Sequence, residues 1–168
     1  EIAVNMAGWR GQKLGGMMHP GNYSLLGVGV SFGVSAKALN PASNVVVISG
    51  DGAFLSGGLS IEAAFQENLP ITIVIDNNGG LDCISQQQER LFANGKHFAT
   101  DFRDIPFHTM CEGLGGHGEV VETREQLRPA LAREMASGKG ALGNVKCRGV
   151  ISPIVAATSD KRDKASIE

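Results

Sequence analysis

The 168-residue sequence has little net charge and few aromatics: 15 Lys and Arg stand against 17 Asp and Glu, and Phe, Trp and Tyr make up 5%. Charges of both signs are scattered and sum to −2, so nucleic acid and anionic membrane surfaces are disfavoured as partners. No stretch approaches the roughly 18 apolar residues of a membrane span, and no signal peptide opens the chain. Cysteine is scarce as well. Cys83, Cys111 and Cys147 are odd in number and lack Cys-x-x-Cys spacing. That pattern argues against a disulfide framework or a zinc ribbon and predicts free thiols in a reducing compartment, with the cytoplasm as the expected location. What the sequence has in excess is glycine, 23 residues, about twice the usual ~7% share. With 42% hydrophobic residues, the chain can bury a core large enough to do without a disulfide or a structural metal.

The hydrophobic pattern predicts an α/β domain over residues 1–150 and a polar, charged tail over 151–168. Ile2–Met6 reads as a short strand close to the first residue, which suggests truncation upstream. Tyr23–Leu39, rich in small residues, reads as a closely packed helix ended by Pro41. The β-branched runs Val45–Ser49 and Ile71–Ile75 suit strands buried on both faces. Between them Ile61, Ala64 and Phe65 fall on one helical face, completing a right-handed βαβ unit. A helix over Ile105–Leu114, a strand at Glu119–Val121, a helix after the capping box Thr123-x-x-Gln126, and a strand over Ala141–Cys147 follow. Pro129 predicts that the last helix starts late or bends, because it removes an N–H beyond the first turn. The implied fold is a doubly wound, open parallel sheet with helices on both faces, its ligand at the carboxyl ends of the strands.

Two polar clusters fall at those strand ends: Gly50-Asp51-Gly52-Ala53-Phe54 and Asp76-Asn77-Asn78-Gly79-Gly80. Asp51 and Asn78 are 27 positions apart, the length of one crossover, so they project from neighbouring strand ends. A carboxylate, a carboxamide and a backbone carbonyl form the all-oxygen set that Mg²⁺ accepts, with phosphate oxygens completing its octahedron. Gly50 and Gly52 remove side chains where backbone N–H groups near a helix start could approach a phosphate. A diphosphate held through a divalent ion is the implied ligand.

Gly-Asp-Gly followed after about 25 residues by Asn-Asn, with Glu67-Asn68-Leu69-Pro70 between, resembles the thiamine-diphosphate-binding motif. The resemblance covers most of residues 1–150 and points to the diphosphate-binding domain of the acetohydroxyacid synthase, oxalyl-CoA decarboxylase and 2-hydroxyacyl-CoA lyase group. It implies that Asp51, Asn78 and the Gly80 carbonyl bind Mg²⁺, and that Gly52 and Ala53, after Gly50, offer N–H groups to the diphosphate. Gly8 and Trp9 would flank that diphosphate from the first loop. Leu26 aligns with the bulky residue wedged beneath the bent cofactor, where Met or Ile is frequent, and Ser24 stands where glycine is frequent, its carbonyl toward the exocyclic amine. Asn77-Asn78-Gly79-Gly80 is most similar to the oxalyl-CoA decarboxylases and 2-hydroxyacyl-CoA lyases.

In that family the carboxylate that activates the cofactor lies on a pyrimidine-binding domain, and nothing in this sequence resembles one. The resemblance therefore implies half an active site, completed by another segment or subunit in a homo- or hetero-oligomer. Its substrate would be a small 2-oxo acid or acyl-CoA.

Other readings compete with this one. Gly27-x-Gly29-x-x-x-Gly33 followed by a strand and Asp51 imitates a dinucleotide fingerprint, but no strand precedes these glycines. A non-catalytic α/β assembly or regulatory module would have no need of both Asp51 and Asn78. Among the four histidines only His19 falls in a glycine-rich loop on the ligand side, where it could face a substrate. Residues 82–95 read either as a plain solvated helix or as a segment ordered by ligand. Met17, Met18 and the cysteines read as packing residues.

Overall fold

The structure, a computed structural model, describes residues 16–21, 25–92 and 94–151. The expected first strand, the loop residues Gly8 and Trp9, Ser24 and residues 152–168 lie outside the described residues. Helix α1 (Val28–Leu39) leads into strand β1 (Val46–Gly50). There follow α2 (Asp51–Gly57), a 3₁₀ turn (Gly58–Ser60), α3 (Ile61–Gln66) and β2 (Thr72–Asn77). The rest is α4 (Asp82–Leu91), α5 (Phe107–Gly113), β3 (His117–Val121), α6 (Arg124–Ala136) and β4 (Ala141–Lys146). All pairings are parallel and the strand order is β1-β2-β4-β3, so the expected α/β fold with a parallel sheet stands.

Alternation along the strands separates two faces. Val47, Ile73, Ile75 and Leu142 are buried together with Val30 of α1, Phe54 of α2, Ile61 and Ala64 of α3, and Phe107 and Cys111 of α5. Phe54 and Phe107 meet edge to face, with ring centroids 5.5 Å apart. On the opposite face, Gly143 of β4 lies beneath Glu134 of α6, where an added Cβ would come 2.5 Å from a glutamate oxygen. Ala130 of α6 is also buried, and helices therefore cover both faces.

Three of the differences from expectation have a visible local cause. Helix α1 begins at Val28 rather than Tyr23, because its N-cap Gly27 has φ 89° and abuts Gly57 at the end of α2. The crossover is helical from Asp51 itself, then broken where Gly57 must admit the Gly27 carbonyl. Helix α6 does not start late: it starts at Arg124, directly after a complete Thr123–Gln126 capping box, and runs through the proline. The cap anchors the first turn strongly enough to tolerate one missing helix hydrogen bond. Among the described residues, no helix is long and apolar enough to cross a membrane.

Candidate functional site

Because β1 and β2 run parallel in register, Gly50 opposite Asp76, the segments that leave them emerge side by side. Asp51 starts α2 at the end of one strand, and Asn78-Gly79-Gly80 turns away from the end of the other. The Asp51 side chain, 3% exposed, is locked between them. One of its oxygens accepts the Gly52 N–H at 2.7 Å, and the other accepts the N–H groups of Gly79 and Gly80, each at 2.9 Å. Burial raises the Asp51 pKa; these three donors oppose the rise and the nearby Asp76 adds to it.

Asn78 supplies the most telling observation at this sheet edge. Its Oδ1 is buried and has no hydrogen-bond partner, although the next residue in the chain is bonded to Asp51. A buried amide oxygen without a partner costs about 1–3 kcal/mol unless something binds it. A hard cation is such a partner, and a buried carboxylate is already close by to neutralise it. The donor set thus fits Mg²⁺.

The third expected ligand, the Gly80 carbonyl, is held by a segment the sequence did not flag. Gly80 pairs with Asp101 in an isolated antiparallel bridge. The bridge hydrogen bonds run from the Leu81 N–H to the Thr100 carbonyl, 2.8 Å, and from the Phe102 N–H to the Gly79 carbonyl, 2.7 Å. They bypass the Gly80 carbonyl. Thr100 is itself buried and its hydroxyl donates to Gln88 of α4. A single bridge formed across helix α4 and the irregular segment after it leaves no local periodicity, so only the aromatic–polar composition of residues 98–102 could have hinted at it.

Gly52 has a packing reason that the sequence did not suggest. Its N–H is taken by Asp51, and a Cβ there would come 2.4 Å from the Leu81 side chain and 3.3 Å from Phe102. The missing side chain makes room for the wall behind the loop. Ala53 remains in the first turn of α2, where an N–H has no preceding helical carbonyl to reach. Leu26 is half exposed just before α1, and the adjacent Gly27 touches the far end of α2, roughly 10 Å along the helix from Asp51.

The remaining candidates sort by contact. His19 is exposed and its Nδ1 accepts the Gly21 N–H at 3.0 Å. Met17 and Met18 are exposed rather than packed. None of the three cysteines forms a disulfide; Cys111 is buried, and Cys147 is exposed at the end of β4. Burial pushes the Cys111 thiol up to about 12. Although the Cys147 residue is exposed as a whole, partial enclosure of its sulfur, then a hydrogen bond to Asp76, does the same there, so neither is a thiolate at neutral pH. Residues 82–91 form a helix that is tied down: Gln86 donates to the Val150 carbonyl, and Gln88 exchanges hydrogen bonds with Phe98.

The family model for the thiamine pyrophosphate enzyme C-terminal TPP-binding domain matches residues 3–145. The chain is 35% identical over 126 residues to an acetolactate synthase large subunit of Mycobacterium tuberculosis, covering 74% of this chain and 23% of that protein. It is 30% identical over 145 residues to the 2-hydroxyacyl-CoA lyase of Arabidopsis thaliana, 84% of this chain and 25% of the relative. With the oxalyl-CoA decarboxylase of Escherichia coli it shares 33% identity over 140 residues, 83% and 24% of the two lengths. Among solved structures, the thiamine diphosphate-dependent 4-hydroxybenzoylformate decarboxylase of Rhodococcus jostii superposes with a TM-score of 0.68 at 28% identity, covering 76% of this chain and 24% of that one. The chain spans about a quarter of the length of these relatives.

Proposed function

Because this chain belongs to the thiamine pyrophosphate (thiamine diphosphate) enzymes, as their C-terminal cofactor-binding domain, we propose that it anchors the cofactor's diphosphate through Mg²⁺ in an enzyme that breaks or forms a carbon–carbon bond beside a carbonyl. The buried, unpartnered Asn78 Oδ1 beside the buried Asp51 carboxylate carries this reading. When bound, thiamine diphosphate supplies the electron sink that such a bond change needs. This chain's own residues bind and orient. Asp51, Asn78 and the Gly80 carbonyl hold the cation, Ala53 lends its N–H to the diphosphate, and Leu26 supports the cofactor from below. Gly8, Trp9 and Ser24 complete the cradle, with Gly50 and Gly52 keeping the Asp51 turn free of side chains. The activating carboxylate comes from a pyrimidine-binding domain or subunit, in a homo- or hetero-oligomer, and the free thiols suit a cytoplasmic protein.

For the substrate we favour a 2-hydroxyacyl-CoA or oxalyl-CoA, on the strength of the Asn77-Asn78-Gly79-Gly80 string. The 35% identity to an acetolactate synthase supports a second reading, a carboligase or decarboxylase acting on 2-oxo acids. Turnover of a 2-hydroxyacyl-CoA against pyruvate by the intact protein separates the two. Calorimetry with thiamine diphosphate, with and without Mg²⁺, tests the anchoring role. Binding is expected to require Mg²⁺ and to weaken by roughly a hundredfold or more in Asp51→Ala, as loss of a charged ligand implies. Binding that is independent of Mg²⁺, or unchanged in Asp51→Ala, would overturn it.

A further inference from the structure

Two carboxamides lie in the core next to the Asn78–Gly80 loop. Asn77, the last residue of β2, is 6% exposed, and Asn144, in the middle of β4, is fully buried. The Asn77 Nδ2 donates to the Asn144 Oδ1 at 2.8 Å, and the Asn77 Oδ1 accepts the Gly79 N–H at 3.2 Å. The Asn144 Nδ2 points to the Ile105 carbonyl and the His108 Nδ1, at the long distances of 3.4 and 3.5 Å.

The polarity of this chain of groups is forced from its loop end. The Gly79 N–H can only donate, so Asn77 must present its oxygen there and its NH₂ to β4. Asn144 must then present its oxygen to Asn77 and its NH₂ toward α5. Reversing either amide would set donor against donor. The Gly79 N–H is shared with Asp51, whose oxygen it meets at 2.9 Å. The peptide that follows Asn78 is therefore gripped by the expected metal carboxylate and, from the opposite end of the network, by β4. Gly79 turns with φ +83°, and Asn78 Oδ1 is left unbonded.

A carboxamide pair in a parallel sheet is costly compared with an apolar pair, and sheet pairing alone does not require it. We propose that Asn144 is a positioning residue for the metal loop: acting through Asn77, it sets the turn that makes Asn78 Oδ1 and the Gly80 carbonyl available to a divalent cation. The role rests on Asp51 and Asn78 being the ligands. Groups one step removed from a ligand typically change metal affinity by roughly ten- to a hundredfold when lost.

The test is Mg²⁺ titration of the intact protein in the presence of thiamine diphosphate, followed by calorimetry, with thermal denaturation of metal-free samples alongside. Asn144→Ala is expected to weaken Mg²⁺ binding by roughly ten- to a hundredfold. Asn144→Asp retains an oxygen for the Asn77 NH₂ and is expected to restore near-native affinity although its melting temperature also falls. Val121→Ala, which trims a buried residue on β3, is expected to lower the melting temperature and leave Mg²⁺ affinity unchanged. If Asn144→Ala does not fold, Asn144→Leu, close in volume, takes its place with the same expected loss. Native Mg²⁺ affinity in the Ala or Leu variant, or an equal loss in Asn144→Asp, overturns the proposal. Asp51→Ala separates the two levels. If that variant loses Mg²⁺ while Asn144→Ala binds normally, only the role of Asn144 falls; if Asp51→Ala binds normally, the metal site falls and the proposal with it.

Discussion

A methyl group at Gly80 would come 2.4 Å from the Thr100 carbonyl oxygen, a backbone atom that cannot move aside without opening the bridge. Gly80→Ala should therefore destabilise the protein by about 1–3 kcal/mol in denaturant unfolding and weaken Mg²⁺ binding with it. Glu134 of α6 allows a prediction on the other face of the sheet. It is 1% exposed, and both carboxylate oxygens are without hydrogen-bond partners. Burial, and secondarily Glu119, push its pKa up to about 7, against opposition from His117 and Arg133. A carboxyl whose folded pKa lies above its unfolded value binds its proton more tightly in the native state, so stability falls as pH rises from the unfolded pKa, about 4.5, to about 7. Glu134→Gln should remove that slope and exceed wild type by up to about 3 kcal/mol at pH 8, measured by urea unfolding at both ends of the range. At this scale, Gly-Asp-Gly and Asn-Asn were legible because each residue type has a chemical reason at its position. The packing reason for Gly52 was not legible, since a close phosphate and a close Leu81 both require the same missing Cβ.

Helix α6 shows how a local signal can win over a local breaker. The capping box satisfies the N-terminal N–H groups, and Pro129 sits exposed on the helix flank. Pro129→Ala should stabilise the fold by about 1–2 kcal/mol, and Thr123→Ala should cost about 1 kcal/mol, both read as thermal shifts. The segment after α4 follows a different logic. His97 bonds to Asp101 through one ring nitrogen and to Glu89 of α4 through the other, at 2.8 and 2.9 Å. Hydrogen bonds to Asp101 and then Glu89 raise its pKa. Its NMR titration midpoint should lie above the ordinary histidine value, and whatever support it lends is complete below the unfolded pKa and lost as pH rises through the folded one. Strands and helices were legible from periodicity, but the strand-like pairing of Gly80 with Asp101 was not, because it is one bridge between two irregular segments.

Over the whole molecule, no Glu follows β1 or β2 within Asp51–Phe54 or Asn78–Asp82; the buried Glu134 lies on α6 over Gly143. Proton exchange at the reactive carbon of bound thiamine diphosphate should therefore be unchanged in Glu134→Gln and Glu89→Gln of the intact protein, measured by NMR. A large loss in either would place the activating acid in this chain. Met18, Leu25, Leu26, Leu55 and Leu59 are exposed around α1 and α2, in keeping with a domain that spans about a quarter of its relatives' length.

The sequence by itself determined the parallel α/β class and the placement of Asp51 and Asn78 after neighbouring strand ends, because hydrophobic period and crossover length are local properties. Tertiary structure alone decided which oxygen is left without a partner. That outcome depends on Asp51 consuming three backbone donors, on Thr100–Phe102 backing the loop, and on Asn144 orienting Asn77 from another strand. All of these contacts but that of Asp51 with Gly52 join residues far apart in the chain, and hydrogen-bond saturation is settled only once they have met.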